Sequence, residues 1–244
     1  MLHITKRANE LRKKVLDLVA QTGEGHLGGS FSEIEILISL YDIILEEEDQ
    51  FILSKGHAYL PLYLLLKERG HNPQLTVHPD KDPQNGIPIT TGSLGHGLPI
   101  AVGMALARKI LNKKGKIYVL MGDGECQEGT IWESLLIASH HKLDNLIVIV
   151  DNNKFQSLDK LDNVCSLGNL RKKFEAFDWQ VEEINGHSIK EVIFSLKEPC
   201  LGKPKIIIAN TIKGKGVGFM ENNAQWHAKI PTPEELNLAY KELE

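Results

Sequence analysis

The chain has 244 residues, 42% of them hydrophobic and 25% charged, an ordinary globular composition that allows one large α/β domain or two small ones. A formal net charge of −4 supplies no basic field for nucleic acid, and no apolar stretch reads as a signal peptide or a membrane span. The three cysteines, Cys126, Cys165 and Cys200, are far apart and form no CxxC pair, which argues against a disulfide framework or a zinc site and fits a reducing cytoplasm.

In chain order, residues 4–20 set Ile4, Leu11, Val15, Leu16, Leu18 and Val19 among charges and predict an amphipathic helix. Gly23 to Ser30 reads as a glycine-rich break, with Ser30 or Ser32 capping a buried apolar helix that runs to about Leu45. A short extended piece at 51–53 leads through Ser54-Lys55-Gly56-His57 into a helix at 58–69. Residues 70–91 hold four prolines and no periodicity, a loop of the length that usually serves function. Thr91 to Gly97 then opens a helix at 98–111.

From there strands and helices alternate. Strands are predicted at 116–121, 145–150, 179–184 and 205–210, and helices at 129–141, 168–176, 188–197 and 233–243. The strands are continuous β-branched runs, such as Leu146 to Val150, which points to a sheet covered on both faces. The expected fold is α/β, a doubly wound, mostly parallel sheet with helices on both faces. It is read as a single domain over 1–244 with a helical N-terminal lead-in. Ligands of such sheets sit outside the carboxyl ends of the strands.

Two loops fall at such ends. Gly122-Asp123-Gly124 offers a carboxylate between glycines, and Asp151-Asn152-Asn153 offers amides. Together they suggest a hard cation holding a phosphate ester, because Mg²⁺ takes few protein carboxylates and completes its shell with water and phosphate oxygens. Ordinary βα turns would use the same residues, but the two loops in this order favour the functional reading. His26, His57 and His96 cluster with glycines, and His78 and His227 lie in irregular segments. His3, His71, His140, His141 and His187 read as ordinary structural or surface residues. No H-E-x-x-H pair is present, so a histidine metal site is not expected. Lys213 and Lys215 with Gly214, Gly216 and Gly218 could form a phosphate loop, though not a P-loop.

Gly122-Asp123-Gly124 followed by Asn153 resembles the thiamine diphosphate-binding motif. Ser54-Lys55-Gly56-His57-Ala58, Thr90 to Gly95, Gly122 to Gly129, Lys142 to Leu146 and Gly214-Lys215-Gly216-Val217 extend the resemblance to the transketolase family. Met220 to Asn223 and Trp226-His227 resemble the N-terminal subunit of a split transketolase. The resemblance implies that Asp123, Asn153 and the Phe155 carbonyl bind Mg²⁺, or Ca²⁺ or Mn²⁺ in its place. It places His57, Gly124 and His227 at the diphosphate, with Gly122 and Glu125 in the same cofactor-binding set. Gly92 and Leu94 would border the aminopyrimidine and thiazolium, and Ile212 would pack on the ring. His26 and His78 would line the substrate channel. Glu128 and Glu133 match acidic residues near the subunit interface that couple the two cofactors, and Glu128 joins the histidines as a catalytic candidate.

The activity implied is transfer of a two-carbon ketol unit between sugar phosphates. The resemblance also implies a separately encoded second subunit with the pyrimidine-binding and C-terminal domains, an α2β2 assembly, and no activity without that partner. Departures from the family pattern are His96 in place of glutamine, short segments at 46–50 and 70–90, and Gln156 to Lys160, where Ser157 or Leu158 takes the apolar place beside the thiazolium. They bear on the substrate more than on the cofactor. Decarboxylation of an α-keto acid with acyl transfer, or a non-catalytic structural subunit, are the other readings considered.

Overall fold

In the computed structural model, which describes residues 2–157, 159–200 and 202–244, five strands form one sheet. They are β1 (Gln50–Leu53), β2 (Ile117–Gly122), β3 (Leu146–Asn152), β4 (Gln180–Asn185) and β5 (Lys205–Asn210). Every pairing is parallel, in the order β1-β2-β3-β5-β4. The registers Gly122↔Asp151 and Asn152↔Asn210 bring the carboxyl ends of β2, β3 and β5 level.

Because side chains alternate along a strand, the β-branched runs feed two cores. Tyr118, Leu120, Ile147, Ile149, Ile207 and Ala209 face one side. There they meet α1 (Leu2–Thr22), α2 (Leu27–Ser32), α3 (Ile34–Ser39), α4 (Leu60–Glu68), α9 (Ile189–Lys197) and α10 (Pro233–Glu242). Val119, Met121, Val148, Val150, Ile206 and Ile208 face the other side. That core is closed by α5 (Gly97–Ile110), α6 (Gly129–His140), α7 (Leu161–Cys165) and α8 (Leu170–Ala176). The doubly wound α/β expectation holds, with an all-parallel sheet.

The largest departure from the predicted elements lies before β1. Gly28 and Gly29 are inside a buried helix, not a break, and the predicted long helix is divided into α2, α3 and a wider turn over Leu40–Ile44. Neither Ser30 nor Ser32 caps it. Ser32 Oγ instead donates to Gly29 O at 3.0 Å and to Asp151 Oδ2 at 2.6 Å. Glycine is needed on that helix because a Cβ at Gly28 would lie 2.9 Å from Trp226 O and 3.0 Å from Lys213 Cε. Helix α7 was not predicted. Leu158 lies outside the described residues, and Ser157 is exposed. Among the described residues no helix is long and apolar enough to cross a membrane.

Ile149 sits in the central strand, 1% exposed, and Ile149→Ala should lower unfolding free energy by about 3 kcal/mol in chemical denaturation. Leu238 on α10 is 52% exposed, and Leu238→Ala should stay within about 0.5 kcal/mol of the parent.

Candidate functional site

The loops after β2 and β3 meet through backbone geometry. Asp123 N–H donates to Asp151 O at 3.2 Å. Lys154 then turns the chain back in the left-handed region, with φ of 67°. Its N–H donates to Asp123 Oδ2 at 2.6 Å, while Gly124 N–H donates to Oδ1 at 2.8 Å. Asn153 Oδ1 accepts the Phe155 N–H at 3.0 Å, and its Nδ2 donates to Asp151 Oδ2 at 3.1 Å. Asp123, Asn153 and Phe155 are thus neighbours, as the sequence suggested. Asp123 is 1% exposed, and burial, reinforced by Asp151, pushes its carboxyl up to about 7. Among the described residues no three His, Cys, Asp or Glu side chains group as a metal site. A cation at Asp123 would therefore rely on one carboxylate, neutral oxygens and its ligand's own oxygens, the habit of Mg²⁺.

Beneath this pair lies a buried ionic cluster. Asp151 accepts hydrogen bonds from Lys55 Nζ, Ser32 Oγ, Thr211 Oγ1 and Asn153 Nδ2. Burial opposes its ionisation, but Lys55 and the hydroxyl donors outweigh burial and hold the carboxyl below its ordinary value. Lys55 Nζ also donates to Gly29 O at 2.9 Å and lies 3.1 Å from Glu33 Oε2, off the angle of a good hydrogen bond. Burial lowers the Lys55 ammonium, yet the two carboxylates raise it by more. Glu33 is enclosed, neither carboxyl oxygen has a well-aligned partner, and burial pushes it up to about 8 against the pull of Lys55. Lys55 and Asp151 hold each other charged, while burial pushes Glu33 toward its protonated form.

Three histidines close over the other side. His26 precedes α2, His57 lies in the turn Gly56–Ala58, and His227 in the turn Ala224–His227. Their ring centroids are 5.1 to 5.4 Å apart. Burial first, then nearby charge, lowers all three: His57 well below its ordinary value, and His227 to about 3. At neutral pH the cluster is uncharged imidazole. His78 joins it from the long loop, facing His26 electrostatically and lying over Gly92, where a Cβ would fall 2.9 Å from His78 Cγ. Lys213 Nζ is 3.2 Å from His227 Nδ1, and burial with Lys55 nearby lowers its ammonium to about 8. His26 Nδ1, Ser30 Oγ and Thr91 Oγ1 are buried without a hydrogen-bond partner among the described residues.

Ile212 is half-buried next to Lys213, and Leu94 is 38% exposed. Glu125 is buried and turned toward the protein. Its Oε1 accepts from Ser54 Oγ and from Gly95 N–H at 2.8 Å, and its Oε2 from Gly122 N–H at 3.2 Å. Its effect on a ligand would pass through the loops it ties. Glu128 and Glu133 are exposed at the start of α6, Glu128 packed against Gly95. His96 is exposed and outside the histidine cluster. The sequence reading saw Lys55 only within a family motif, Glu33 only as a first-turn helix residue, Asp151 only as part of the loop after β3 and Lys213 only as part of a loop, and it assigned no role to Thr211. Their juxtaposition crosses four segments and leaves no local pattern.

Comparison with known proteins gives a consistent result. Residues 4–243 match the family described as transketolase, thiamine diphosphate binding domain. One subunit of the apulose-4-phosphate transketolase of Actinobacillus succinogenes is 42% identical, over 98% of this chain and 95% of that one. The SqwG subunit of the 6-deoxy-6-sulfo-D-fructose transketolase of a Clostridium species is 37% identical, over 100% and 97%. Human transketolase is 34% identical over 94% of this chain, which spans 40% of that enzyme. The crystal structure of transketolase from Campylobacter jejuni superposes with a TM-score of 0.89 at 30% identity, over 100% of this chain and 43% of that one.

Replacing Lys55 leaves Asp151 as a buried charge without its main counter-ion. Lys55→Met should therefore lower stability by about 3–5 kcal/mol in urea unfolding. The double variant Lys55→Met with Asp151→Asn should recover a clear part of that loss.

Proposed function

The chain belongs to the transketolase family, and on that premise we propose that it is the cofactor-anchoring subunit of a two-subunit enzyme that moves a two-carbon ketol unit between sugar phosphates. The observation that carries this reading is a buried carboxylate, Asp123, and a buried, weakly paired lysine, Lys213, just past the carboxyl ends of β2 and β5, near enough for the carboxylate to act on the ammonium. Asp123 is driven toward protonation when alone, so a divalent cation beside it restores its charge. Among the described residues Lys213 has only a neutral imidazole as side-chain hydrogen-bond partner, so an anion there satisfies it. The unpartnered Thr91 and His26 atoms, beside Gly56 and His57, give the same region further hydrogen-bonding capacity. These residues fit a diphosphate together with a divalent metal ion.

On this reading Asp123, Asn153 Oδ1 and the Phe155 carbonyl hold Mg²⁺, or Ca²⁺ or Mn²⁺. His57, His227, Lys213 and the Gly124 N–H hold the diphosphate, while Gly92, Leu94 and Ile212 border the rings. When bound, thiamine diphosphate supplies the electron sink that two-carbon transfer requires. The chain's own part is placement and proton handling. His26 and His78 face the substrate, where an imidazole can accept a proton from a sugar hydroxyl and return it. Glu125 keeps Gly95 and Gly122 in position.

The partner reading rests on the relatives' names and on surface. Relatives that this chain covers almost completely are named as single subunits of transketolases. Helices α5 and α6, which pack on each other, leave Ile100, Leu136 and Ile137 exposed. We assign that face to a separately encoded protein carrying the pyrimidine-binding and C-terminal domains, in an α2β2 assembly. The single domain proposed for residues 1–244 supplies the diphosphate half of each site. The unpaired cysteines suit a cytoplasmic enzyme.

Mixing the two purified subunits with Mg²⁺, thiamine diphosphate and a ketose phosphate donor should yield ketol transfer, and this chain alone should yield none. Ketol transfer by this chain alone would overturn the partner reading, and its absence from the mixture the function. In the complex, Asp123→Asn should reduce kcat by more than about 100-fold. Lys213→Met should raise the apparent KM for cofactor by about tenfold or more, as expected for loss of one charged hydrogen bond, with a smaller change in kcat.

A further inference from the structure

His187 lies outside the histidine cluster, in the turn between β4 and α9, yet it connects the N-terminal helices to the loop that carries Ile212 and Lys213. Its Nδ1 is 2.9 Å from Glu35 Oε2, and its Nε2 accepts the Ile212 N–H at 2.8 Å. A backbone N–H can only donate, so Nε2 is unprotonated and the proton sits on Nδ1, directed at Glu35. Glu35 is in turn gripped by Arg12, whose Nη2 lies 2.7 and 2.9 Å from its two oxygens and also donates to Phe31 O at 3.2 Å. Burial opposes ionisation of Glu35, but the His187 hydrogen bond and the Arg12 charge prevail and keep it below its ordinary value. Arg12, Glu35 and His187 thus form a chain of fixed polarity that ends on one backbone amide.

That amide sits at the exit of β5, between Thr211 and Lys213, whose side chains reach the floor of the site and the site itself. Thr211 Oγ1 donates to Asp151, and Lys213 Nζ reaches His227. Gly214 N–H donates to Gly28 O at 2.9 Å. The turn holding His187 is pressed onto the same exit: a Cβ at Gly186 would fall 2.4 Å from Thr211 Cγ2, and Gly186 N–H donates to Asn210 O at 2.8 Å. Arg12 also packs against Gly216, where a Cβ would lie 2.9 Å from its Cδ.

We infer that His187 is a positioning residue for the diphosphate pocket: by accepting the Ile212 N–H it fixes the path of Thr211 to Lys213 and so the place of the Lys213 ammonium. The inference rests on the reading that this pocket binds thiamine diphosphate. Its essential bond is the one to Ile212, with Glu35 serving to hold the tautomer.

Two substitutions separate the bonds. In His187→Gln the longer amide carries an acceptor to about the position of Nε2, keeping the bond to Ile212. In His187→Asn the shorter amide keeps a donor near Glu35 but leaves the Ile212 N–H without its acceptor. Cofactor affinity is read by titrating thiamine diphosphate, at saturating Mg²⁺, into the complex with the second subunit. The expected result is affinity within about threefold of wild type for His187→Gln and about tenfold weaker for His187→Asn, the loss expected when a buried donor is stranded. At saturating cofactor kcat should be largely retained in both. Equal affinities in the two variants, or a greater loss in His187→Gln, would overturn the inference, because packing or Glu35 alone would then explain the residue. Failure of the wild-type complex to bind cofactor would instead overturn the functional reading on which it rests. Should His187→Asn not assemble, hydrogen exchange decides. The Ile212 amide should be protected in wild type and in His187→Gln, and exchange at the rate of an open loop amide in wild type would contradict the proposed bond.

Discussion

The Asp151 carboxylate is the point on which the site depends. It receives hydrogen bonds from α2 through Ser32, from the loop after β1 through Lys55, from its own loop through Asn153, and from the exit of β5 through Thr211. No other side chain among those described gathers so many segments at the carboxyl ends of the strands. A fully buried carboxylate is tolerable only when paired and hydrogen-bonded, so each donor is constrained by the same requirement. The consequence is a rigid floor from which Asp123 and Asn153 rise on one side and the histidines on the other.

The electrostatics of that floor and of the pocket above it are opposite in kind. Lys55 and Asp151 neutralise one another with no space between them. Asp123 and Lys213 are each buried without a matching charge in direct contact, and each is pushed toward its neutral form, to about 7 and about 8 respectively. Strained ionisation of this sort marks a place that waits for charges from outside the chain. A divalent cation and a diphosphate together bring both signs at once. The neutral histidines beside Lys213 add donors and acceptors without adding to the charge. His187 belongs to this arrangement at one remove, since its ring bonds Glu35 and the backbone N–H of Ile212, beside Lys213.

Much of this was legible in the sequence because it is written in short contiguous runs. The continuous apolar strands, the Gly122-Asp123-Gly124 loop and Asn153 fix the sheet and the side of it that carries the site. His26, His57, His78 and His227 could be singled out by their irregular, glycine-rich surroundings, and the fold brings them together. What could not be read is whatever depends on contact between distant segments. Ser32 looked like a helix cap and is a ligand of Asp151. Gly28 and Gly29 looked like a break and are inside a helix, because close approach of Trp226, Lys213 and His57 demands small residues there. His187 looked like an ordinary loop histidine, since neither Glu35 nor Ile212 is near it in sequence. Glu125, grouped with the cofactor set by resemblance, has its oxygens engaged by the surrounding loops.

The central claim is that this chain supplies the metal and diphosphate half of a thiamine diphosphate site. It is tested most directly by calorimetric titration of thiamine diphosphate into the assembled two-subunit complex, with Mg²⁺ and after its removal by chelation. Binding that is tight with Mg²⁺, strongly weakened without it, and weakened further when thiamine monophosphate replaces the diphosphate is the predicted result. Affinity indifferent to the metal and to the second phosphate would contradict it.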